Sequence, residues 1–439
     1  MNDLKQQAVR VVEVLKRHGH EAYFAGGCVR DMLMGRTPYD YDIATSARPQ
    51  QVAQLFRKTA HVGAAFGVVL VQENSHQFEV ATFRTERGYS DGRHPDVVEF
   101  SDAQGDVSRR DFTINAILYD PIEDRKLDYV GGEDDIAARL VRAVGDPLRR
   151  FGEDYLRMLR AVRIAAMLDF GIEGDTLAAI RKSAHLIEKV SNERIGIELM
   201  RIFGGPDPAE GLRLLSETGL LAHVLPEVEA MKGVEQPENY HPEGDVFRHT
   251  LLALEHLKQP KSPEFALAVL LHDVGKPPAF TEDDRIRFPS HEKEGAEIAA
   301  AIARRLRLSN EQKNYIGHLV KDHMKFMMVR QMKESTLKRF LRDPYFRDLL
   351  ELHRLDCLAS NGVLDAWEYC RQKQEELAPE EIAPPPIFTG HDLIEMGYEP
   401  GPAFKEMLDR IENAQLDGEI STNEEARELV LREFPLTQR

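Results

Sequence analysis

Up to about residue 130 the apolar residues come in short runs broken by polar and glycine-rich stretches; beyond it they recur every three or four positions. The runs AYFAGG, YDIAT, FGVVLVQE, FEVATFR, VVEF and NAILYDP are rich in β-branched and aromatic residues, and predict strands interleaved with helices. Ahead of them, MNDLKQQAVRVVEVLKRHGHEAYF reads as an amphipathic helix rather than a signal peptide. From about residue 139, RRFGEDYLRMLRAVRIAAMLDF keeps helical spacing, as does nearly everything to residue 375. The stretch EELAPEEIAPPP, acidic and proline-rich, predicts a linker over 375–386. The expected class is α+β: a mixed α/β head over 1–138, an all-helical neck over 139–204, a helical body over 205–374, and a helical segment over 387–439.

At 439 residues and 42% hydrophobic content the chain can bury several cores. No apolar run approaches the roughly 20 residues of a membrane span, so a cytoplasmic protein without membrane contact is expected. Cys28, Cys357 and Cys370 are odd in number and lack CxxC spacing, which points to reduced thiols rather than a disulfide framework or zinc knuckle. A net charge of −17 argues against a protein that coats nucleic acid by charge alone. Locally the balance reverses: Arg139 to Arg163 holds seven arginines against three acids, a composition compatible with RNA.

The stretch FAGGCVRDMLMGRTPYDYDIATSA, residues 24–47, sets two glycines before an apolar segment and two aspartates after it. On a strand, Asp40 and Asp42 project to one face. Adjacent carboxylates repel, and a divalent cation removes that penalty. Hard oxygen ligands suit Mg²⁺, which keeps waters and takes substrate phosphates. Gly26 and Gly27 allow backbone N–H groups to approach a phosphate, and Arg30 adds a charged fork. GGxVRD followed by DYDIAT resembles the head of the nucleotidyltransferase superfamily, in particular the class II CCA-adding enzymes and bacterial poly(A) polymerases. The resemblance implies that Asp40 and Asp42 hold the catalytic metals, which activate a 3′-hydroxyl and neutralise pyrophosphate. Glu79, in FEVATF, reads equally as a third acid or as a solvated strand carboxylate.

RRDFTINA, residues 109–116, is similar to the family's sugar-binding motif. Asp111 would accept a hydrogen bond from a ribose 2′-hydroxyl, with Arg110 and Asn115 serving triphosphate and sugar. In GEDYLRMLRAVR, Glu153 and Asp154 stand four and three residues before Arg157, which places all three on one helical face. Cytosine and adenine each offer an amino donor beside a ring-nitrogen acceptor; an aspartate and an arginine fit that edge and oppose uracil and guanine. This EDxxR matches the class II amino-acid template, so Asp154 and Arg157 are expected to read the base and Glu153 to orient the arginine. Residues 82–100 look like the family's flexible-loop segment, whose presence favours full CCA addition to tRNA from CTP and ATP. SNERIGIEL, residues 191–199, resembles the family's neck and is expected to be structural.

Downstream lie FRHT (His249), LLHDVGKP (His272, Asp273), SHEKEGAE (His291), IGHLVKDH (His318, His323) and LHRLDC (Asp356). Imidazoles and carboxylates suit Mn²⁺, Fe²⁺ or Ni²⁺. The ordered series resembles the HD-type phosphohydrolases. That resemblance implies metal ligands His249, His272, Asp273 and Asp356, with His291 and His323 completing a second site or binding phosphate. Lys276 is a phosphate ligand or a solvated helix residue. The implied second activity is phosphatase or 2′,3′-cyclic phosphodiesterase; the alternative is an HD fold that only packs or binds tRNA. Rival readings of the whole chain are a poly(A) polymerase, a CC-adding enzyme, an alarmone synthetase/hydrolase and a non-catalytic RNA-binding protein.

Overall fold

The computed structural model describes residues 3–61, 67–89, 96–237 and 241–436. It divides into two compact units: residues 1–229 with 258–263 and 305–308, and residues 230–257 with 264–304 and 309–439.

The first unit opens on the amphipathic helix Asp3–Arg17, whose buried Gln7, Ala8, Val11, Val12 and Leu15 repeat at helical spacing. Its sheet strands are β1 (Ala22–Ala25), β2 (Asp42–Thr45), β3 (Thr59–His61), β4 (Val68–Glu73) and β5 (His76–Thr82). A separate hairpin pairs β6 (Arg84–Arg87) with β7 (Val97–Phe100), and β8 (Leu118–Asp120) and β9 (Arg125–Leu127) complete the main sheet. The order is β3-β4-β5-β2-β1-β8-β9; β2 and β5 run parallel and the other pairs antiparallel.

Both faces of this sheet are covered, which follows from the twofold repeat of a strand. In β1, Ala22 and Phe24 join Val11, Val12, Leu15, Ile43, Val71, Phe78 and Val80 in one core, whereas Tyr23 and Ala25 join Ala44, Phe83, Leu118 and Val144 in another. Each large side chain so buried contributes about 1.5–3 kcal/mol. The sheet is thereby a rigid floor at the end where β1 and β2 meet.

From Pro147 the unit is mainly helical, with Pro147–Glu153, Arg157–Leu168, Gly174–Ser183, Asn192–Phe203 and Pro208–Glu217. The all-helical expectation needs correction at two places. Leu140–Val141 pairs in parallel with Gly171–Ile172, and in the second unit Thr281–Glu282 pairs with Ile286–Arg287. Each is a ladder of two residues per strand, too short for period-2 patterning to reveal.

The second unit is helical, with Val246–His256, Pro263–Leu271, His291–Arg305, Asn310–Asp322 and Phe346–Ala359 framing its centre. Residues 375–386 hold the end of the helix Asp365–Glu376 and a single turn, Pro379–Ile382. Phe388, Leu393, Met407, Ile411, Leu429 and Val430 form a further small core. Among the described residues, no helix is long and apolar enough to cross a membrane.

Candidate active site

β1 ends at Ala25, opposite Asp42, because Gly26 turns the chain with φ 78° and ψ −145°, a conformation that side chains disfavour. A Cβ on Gly26 would lie 3.4 Å from Asp42 Oδ2 and 3.7 Å from an Arg110 guanidinium nitrogen, so the corner also keeps space open between them. The turn launches the helix Gly27–Leu33 and deprives residue 40 of a ladder partner. The expectation that Asp40 and Asp42 share a strand face is therefore corrected: β2 begins at Asp42, and Asp40 stands exposed in the irregular segment before it.

In the parallel register Ile43 pairs with Val80, so Asp42 and Glu79, one step earlier on each strand, emerge on the same side of the sheet. Burial first, then the charges of Asp40 and Glu79, push the Asp42 carboxyl up to about 6 against the opposing pull of Arg110. Asp40 and Glu79 both act on Asp42, and oxygen donors of this kind fit a hard divalent cation such as Mg²⁺.

A cleft of about 580 Å³ opens here. Of the expected residues it brings together Gly26, Gly27, Asp42, Glu79, Arg110, Asp111, Asn115, Asp154 and Arg157. Asp40, Arg30 and Glu153 are not on its lining. Arg30 is held instead by Asp31 and by the Asn115 Oδ1 it donates to at 2.8 Å, so the expected phosphate fork is already engaged.

In RRDFTINA the two arginines share the buried Asp106, at 2.7 Å from Arg109 and 2.9 Å from Arg110. Burial opposes ionisation of Asp106, but Arg110 and Arg109 outweigh it and hold the carboxyl below its ordinary range. Asp111 accepts from the Phe112 N–H at 2.9 Å and lies 2.5 Å from Arg160. Its burial is likewise outweighed, by Arg160 and Arg157, and its pKa falls.

The EDxxR stretch is not one helical face. The chain breaks at Asp154, which is extended (φ −147°, ψ 109°), and its side chain accepts from the Leu156 N–H to cap the next turn. Arg157 then opens the helix Arg157–Leu168. Glu153 nonetheless reaches Arg157 at 2.6 Å, while Arg157 also donates to the carbonyls of Arg150 and Arg109. Asp154 does not pair with Arg157; its carboxylate is held by Arg194 at 3.0 Å. SNERIGIEL, expected to be structural, thus contributes Arg194 to the cleft.

Sequence reasoning missed Arg84, Glu86, Tyr89, Arg109, Arg160 and Arg194, all on the cleft's lining. Arg160 had a signal, since it follows Arg157 by one helical turn. Glu86 accepts from Arg84 and Tyr89, both at 2.7 Å, at the start of the expected flexible loop. Residues 90–95 of that loop lie outside the described residues.

In the second unit, His249 sits in the helix Val246–His256, Asp356 in Phe346–Ala359, and His272 and Asp273 in the turn after Pro263–Leu271. His291 and His323 each begin a helical segment. The Nδ1 atoms of His272, His291 and His323 face the carbonyls of Val269, Phe288 and Val320 at 2.7–3.0 Å, which assigns the proton to Nδ1 and leaves Nε2 as the donor atom. His249 Nε2 lies 3.2 Å from His272 Nε2 and 3.1 Å from Asp356 Oδ1. Asp273 turns Oδ2 toward His272 at 3.3 Å and Oδ1 toward His291 at 3.4 Å and His323 at 3.7 Å.

Two donor clusters result, His249–His272–Asp356 and Asp273–His291–His323. His291 Nε2 and His323 Nε2 are buried without a hydrogen-bond partner among the described residues, a costly state that a cation relieves, whereas Asp273 Oδ2 faces the Lys276 ammonium. Mixed nitrogen and oxygen donors fit a transition metal. Burial works against charge on His249, yet Asp356, Glu243 and Asp273 push it up to about 9; burial and then His272 push His323 down to about 3.

Gly275 explains part of this convergence, because a Cβ there would lie 2.1 Å from the His291 carbonyl and 2.5 Å from the Gly295 nitrogen. The two segments touch backbone to backbone. Lys276 is clamped by Asp273 and Gln236, each at 2.6 Å, and faces a cleft of about 650 Å³ with Asp273, His291, His323 and Asp356. His318 is not gathered with the others: it pairs with Asp343 at 2.9 Å.

A sheet that sets Asp42 and Glu79 beside a glycine corner, followed by helical segments bearing a His/Asp cluster, resembles a nucleotidyltransferase head joined to an HD domain. Family profiles agree: "Poly A polymerase head domain" matches residues 22–142, "Probable RNA and SrmB- binding site of polymerase A" matches 169–232, and "HD domain" matches 245–355. The CCA-adding enzyme of Anoxybacillus flavithermus is 45% identical over 233 residues, 53% of this chain and 58% of that protein. That of Geobacillus stearothermophilus is 44% identical over 220 residues, 50% of this chain and 54% of that one. The chain spans a little over half the length of the curated relatives it matches. Among solved structures, the Bacillus stearothermophilus CCA-adding enzyme in complex with CTP is 29% identical, covers 98% of both chains and has a TM-score of 0.73. The Thermotoga maritima CCA-adding enzyme complexed with tRNA, 20% identical over 98% of this chain and 96% of that one, shares the fold with a TM-score of 0.61. The chain thus carries a poly(A) polymerase head, its RNA-binding segment and an HD domain by these profiles, and it is similar to CCA-adding enzymes in sequence and fold.

Proposed function

We propose that the chain is a CCA-adding tRNA nucleotidyltransferase that appends CMP, CMP and AMP to the 3′ end of tRNA, from CTP and ATP, with Mg²⁺. The observation that carries this reading is that Asp42, Asp154 and Arg157 line one cleft, so a nucleotide with its phosphates at the acids has its base within reach of the selecting groups. The CTP-bound and tRNA-bound relatives support the choice of substrates.

Asp40 and Asp42, with Glu79, would hold Mg²⁺, which when bound neutralises phosphate charge and lowers the pKa of the attacking hydroxyl. Gly26, Gly27 and Arg110 receive the triphosphate. Asp111, fixed by Arg160, and Asn115 receive the ribose; the second oxygen lone pairs of Asp111 remain for a 2′-hydroxyl. Arg157, oriented by Glu153, donates to the base's ring nitrogen, and Asp154, steadied by Arg194, accepts from its amino group.

The test is extension of tRNA lacking its 3′ end with single labelled nucleotides. Two CMP additions followed by one AMP support the reading; CMP alone or long AMP tracts replace it with a CC-adding enzyme or a poly(A) polymerase. The latter is kept as the second reading because the head profile carries that name.

For the second unit the reading is a metal-dependent phosphatase or 2′,3′-cyclic phosphodiesterase. His249, His272, Asp273 and Asp356 would hold Mn²⁺, Ni²⁺ or Fe²⁺, and His291 and His323, sharing Asp273, a second ion. The support is that the orphaned Nε2 atoms of His291 and His323 both face Asp273 Oδ1, beside the cluster of His249, His272 and Asp356. Lys276, facing the same cleft, is the candidate contact for substrate phosphate.

A further inference from the structure

The tautomers of three cluster imidazoles are set by carbonyls of their own local backbone, three residues earlier in each case. His249 differs. Its Nδ1 lies 2.7 Å from Oε1 of Glu243, and the same oxygen lies 2.8 Å from Nδ1 of His241. The Glu243 side chain is only 5% exposed and its other oxygen, Oε2, is buried without a hydrogen-bond partner among the described residues. A carboxylate taken out of water for one bifurcated contact is costly unless it does something for its neighbours.

What it does follows from the other end of the ring. His249 Nε2 is aimed at Asp356 Oδ1 and His272 Nε2, so the proton on Nδ1 must stay there for Nε2 to donate its lone pair to a cation. His241 stands edge-on to His249, with ring centroids 4.9 Å apart, and lines the cleft beside Lys276 and Asp273. Its own bond to Glu243 braces the carboxylate from the second side.

We propose that Glu243 is a positioning residue of the second unit's metal centre: it fixes the Nδ1–H tautomer and the plane of His249, and its negative charge strengthens His249 Nε2 as a metal ligand. The inference rests on the metal-binding reading of this cluster and goes beyond it by adding a residue that does not itself face the ion. Carboxylate partners of this kind are worth about 10- to 100-fold in metal affinity.

The test uses the full chain, freed of metal, titrated with Co²⁺ and followed by its visible d–d absorption, whose band position separates nitrogen from all-oxygen ligation, with His272→Ala marking the part that belongs to this cluster. Glu243→Ala is expected to raise the Co²⁺ dissociation constant about 10-fold or more and to shift the absorption band. Glu243→Gln, which can still accept from both Nδ1–H groups, is expected to restore the band position while binding at least about 3-fold more weakly than wild type, the loss of charge alone. Wild-type affinity in both variants overturns the inference. If Glu243→Ala fails to fold, as judged by circular dichroism, the glutamine variant decides: weakened binding supports the proposal and unchanged binding overturns it. A wild-type chain that shows no imidazole-type band, matching His272→Ala, instead overturns the metal reading and the inference with it.

Discussion

Glu153 Oε2 lies 2.6 Å from the guanidinium of Arg157 and 2.7 Å from that of Arg150, so one buried carboxylate holds two arginines. Arg150 also donates to the carbonyls of Ser108, Arg109 and Val144, and Arg157 to those of Arg109 and Arg150. The proposed base reader is thus tied to RRDFTINA through backbone, with little rotational freedom. Arg157→Ala should relax discrimination against UTP while CMP incorporation persists at reduced rate, measured by competition between labelled CTP and UTP. An unchanged preference for C and A would remove the template role. Glu153→Ala leaves two buried guanidiniums without their shared partner and should cost about 3 kcal/mol of stability in urea unfolding.

The Asp154–Arg194 pair makes a separate prediction. Arg194 comes from the helix Asn192–Phe203, far along the chain, and holds Asp154 at 3.0 Å. Both side chains are partly exposed, about a fifth of each, so the pair adds little stability and its effect should appear in function. Arg194→Ala should raise the KM for CTP several-fold and increase misincorporation, with the melting temperature unchanged. Equal losses in stability and activity would assign the pair to packing.

These two arginines show where the sequence is readable and where it is not. The strands, the glycine corner and the contiguous His272-Asp273 pair are local patterns, and Gly26, Asp42 and Glu79 fall on the first two. The break at Asp154 was hidden because E, D and R at spacings of four and three fit a helix; only the extended backbone at Asp154, which caps the next turn, separates them. Asp40 was misjudged for a related reason, since alternation in YDYDIA looks like a strand, but the ladder stops where Gly26 turns β1 away. Arg160, Arg194 and Glu243 find partners distant in sequence or irregular in backbone, and no local spacing announces such pairs.

The acidic end of the cleft carries a pH signature. The Asp42 carboxyl is raised to about 6, by burial and then by Asp40 and Glu79, above its ordinary 3.8. A raised carboxyl favours its proton, so without metal the ionised form costs stability as pH climbs from 3.8 through about 6, and Mg²⁺ removes that cost only where the proton has gone. Mg²⁺ should therefore raise the melting temperature above pH 6 and lose this effect below it. Glu79→Gln removes one of the charges responsible and should move the midpoint to lower pH. A Mg²⁺ response independent of pH between 5 and 8 would separate Asp42 from the metal.

The approach of Gly275 to the helix His291–Arg305 predicts a different kind of failure. A methyl group there would stand 2.1 Å from a carbonyl oxygen and 2.5 Å from the Gly295 nitrogen, both backbone atoms that cannot swing aside as a side chain would. Gly275→Ala should force the two segments apart at a cost of about 1–3 kcal/mol, drawing His291 away from Asp273 Oδ1. Co²⁺ binding by the second unit should weaken while CMP incorporation by the head continues. His272→Ala should likewise remove any phosphohydrolase activity without touching incorporation, but it should leave the unfolding midpoint of the metal-free chain nearly in place. The contrast between the two variants distinguishes loss of a ligand from loss of the frame that carries it. Loss of both activities in His272→Ala would mean that the two chemistries depend on one another.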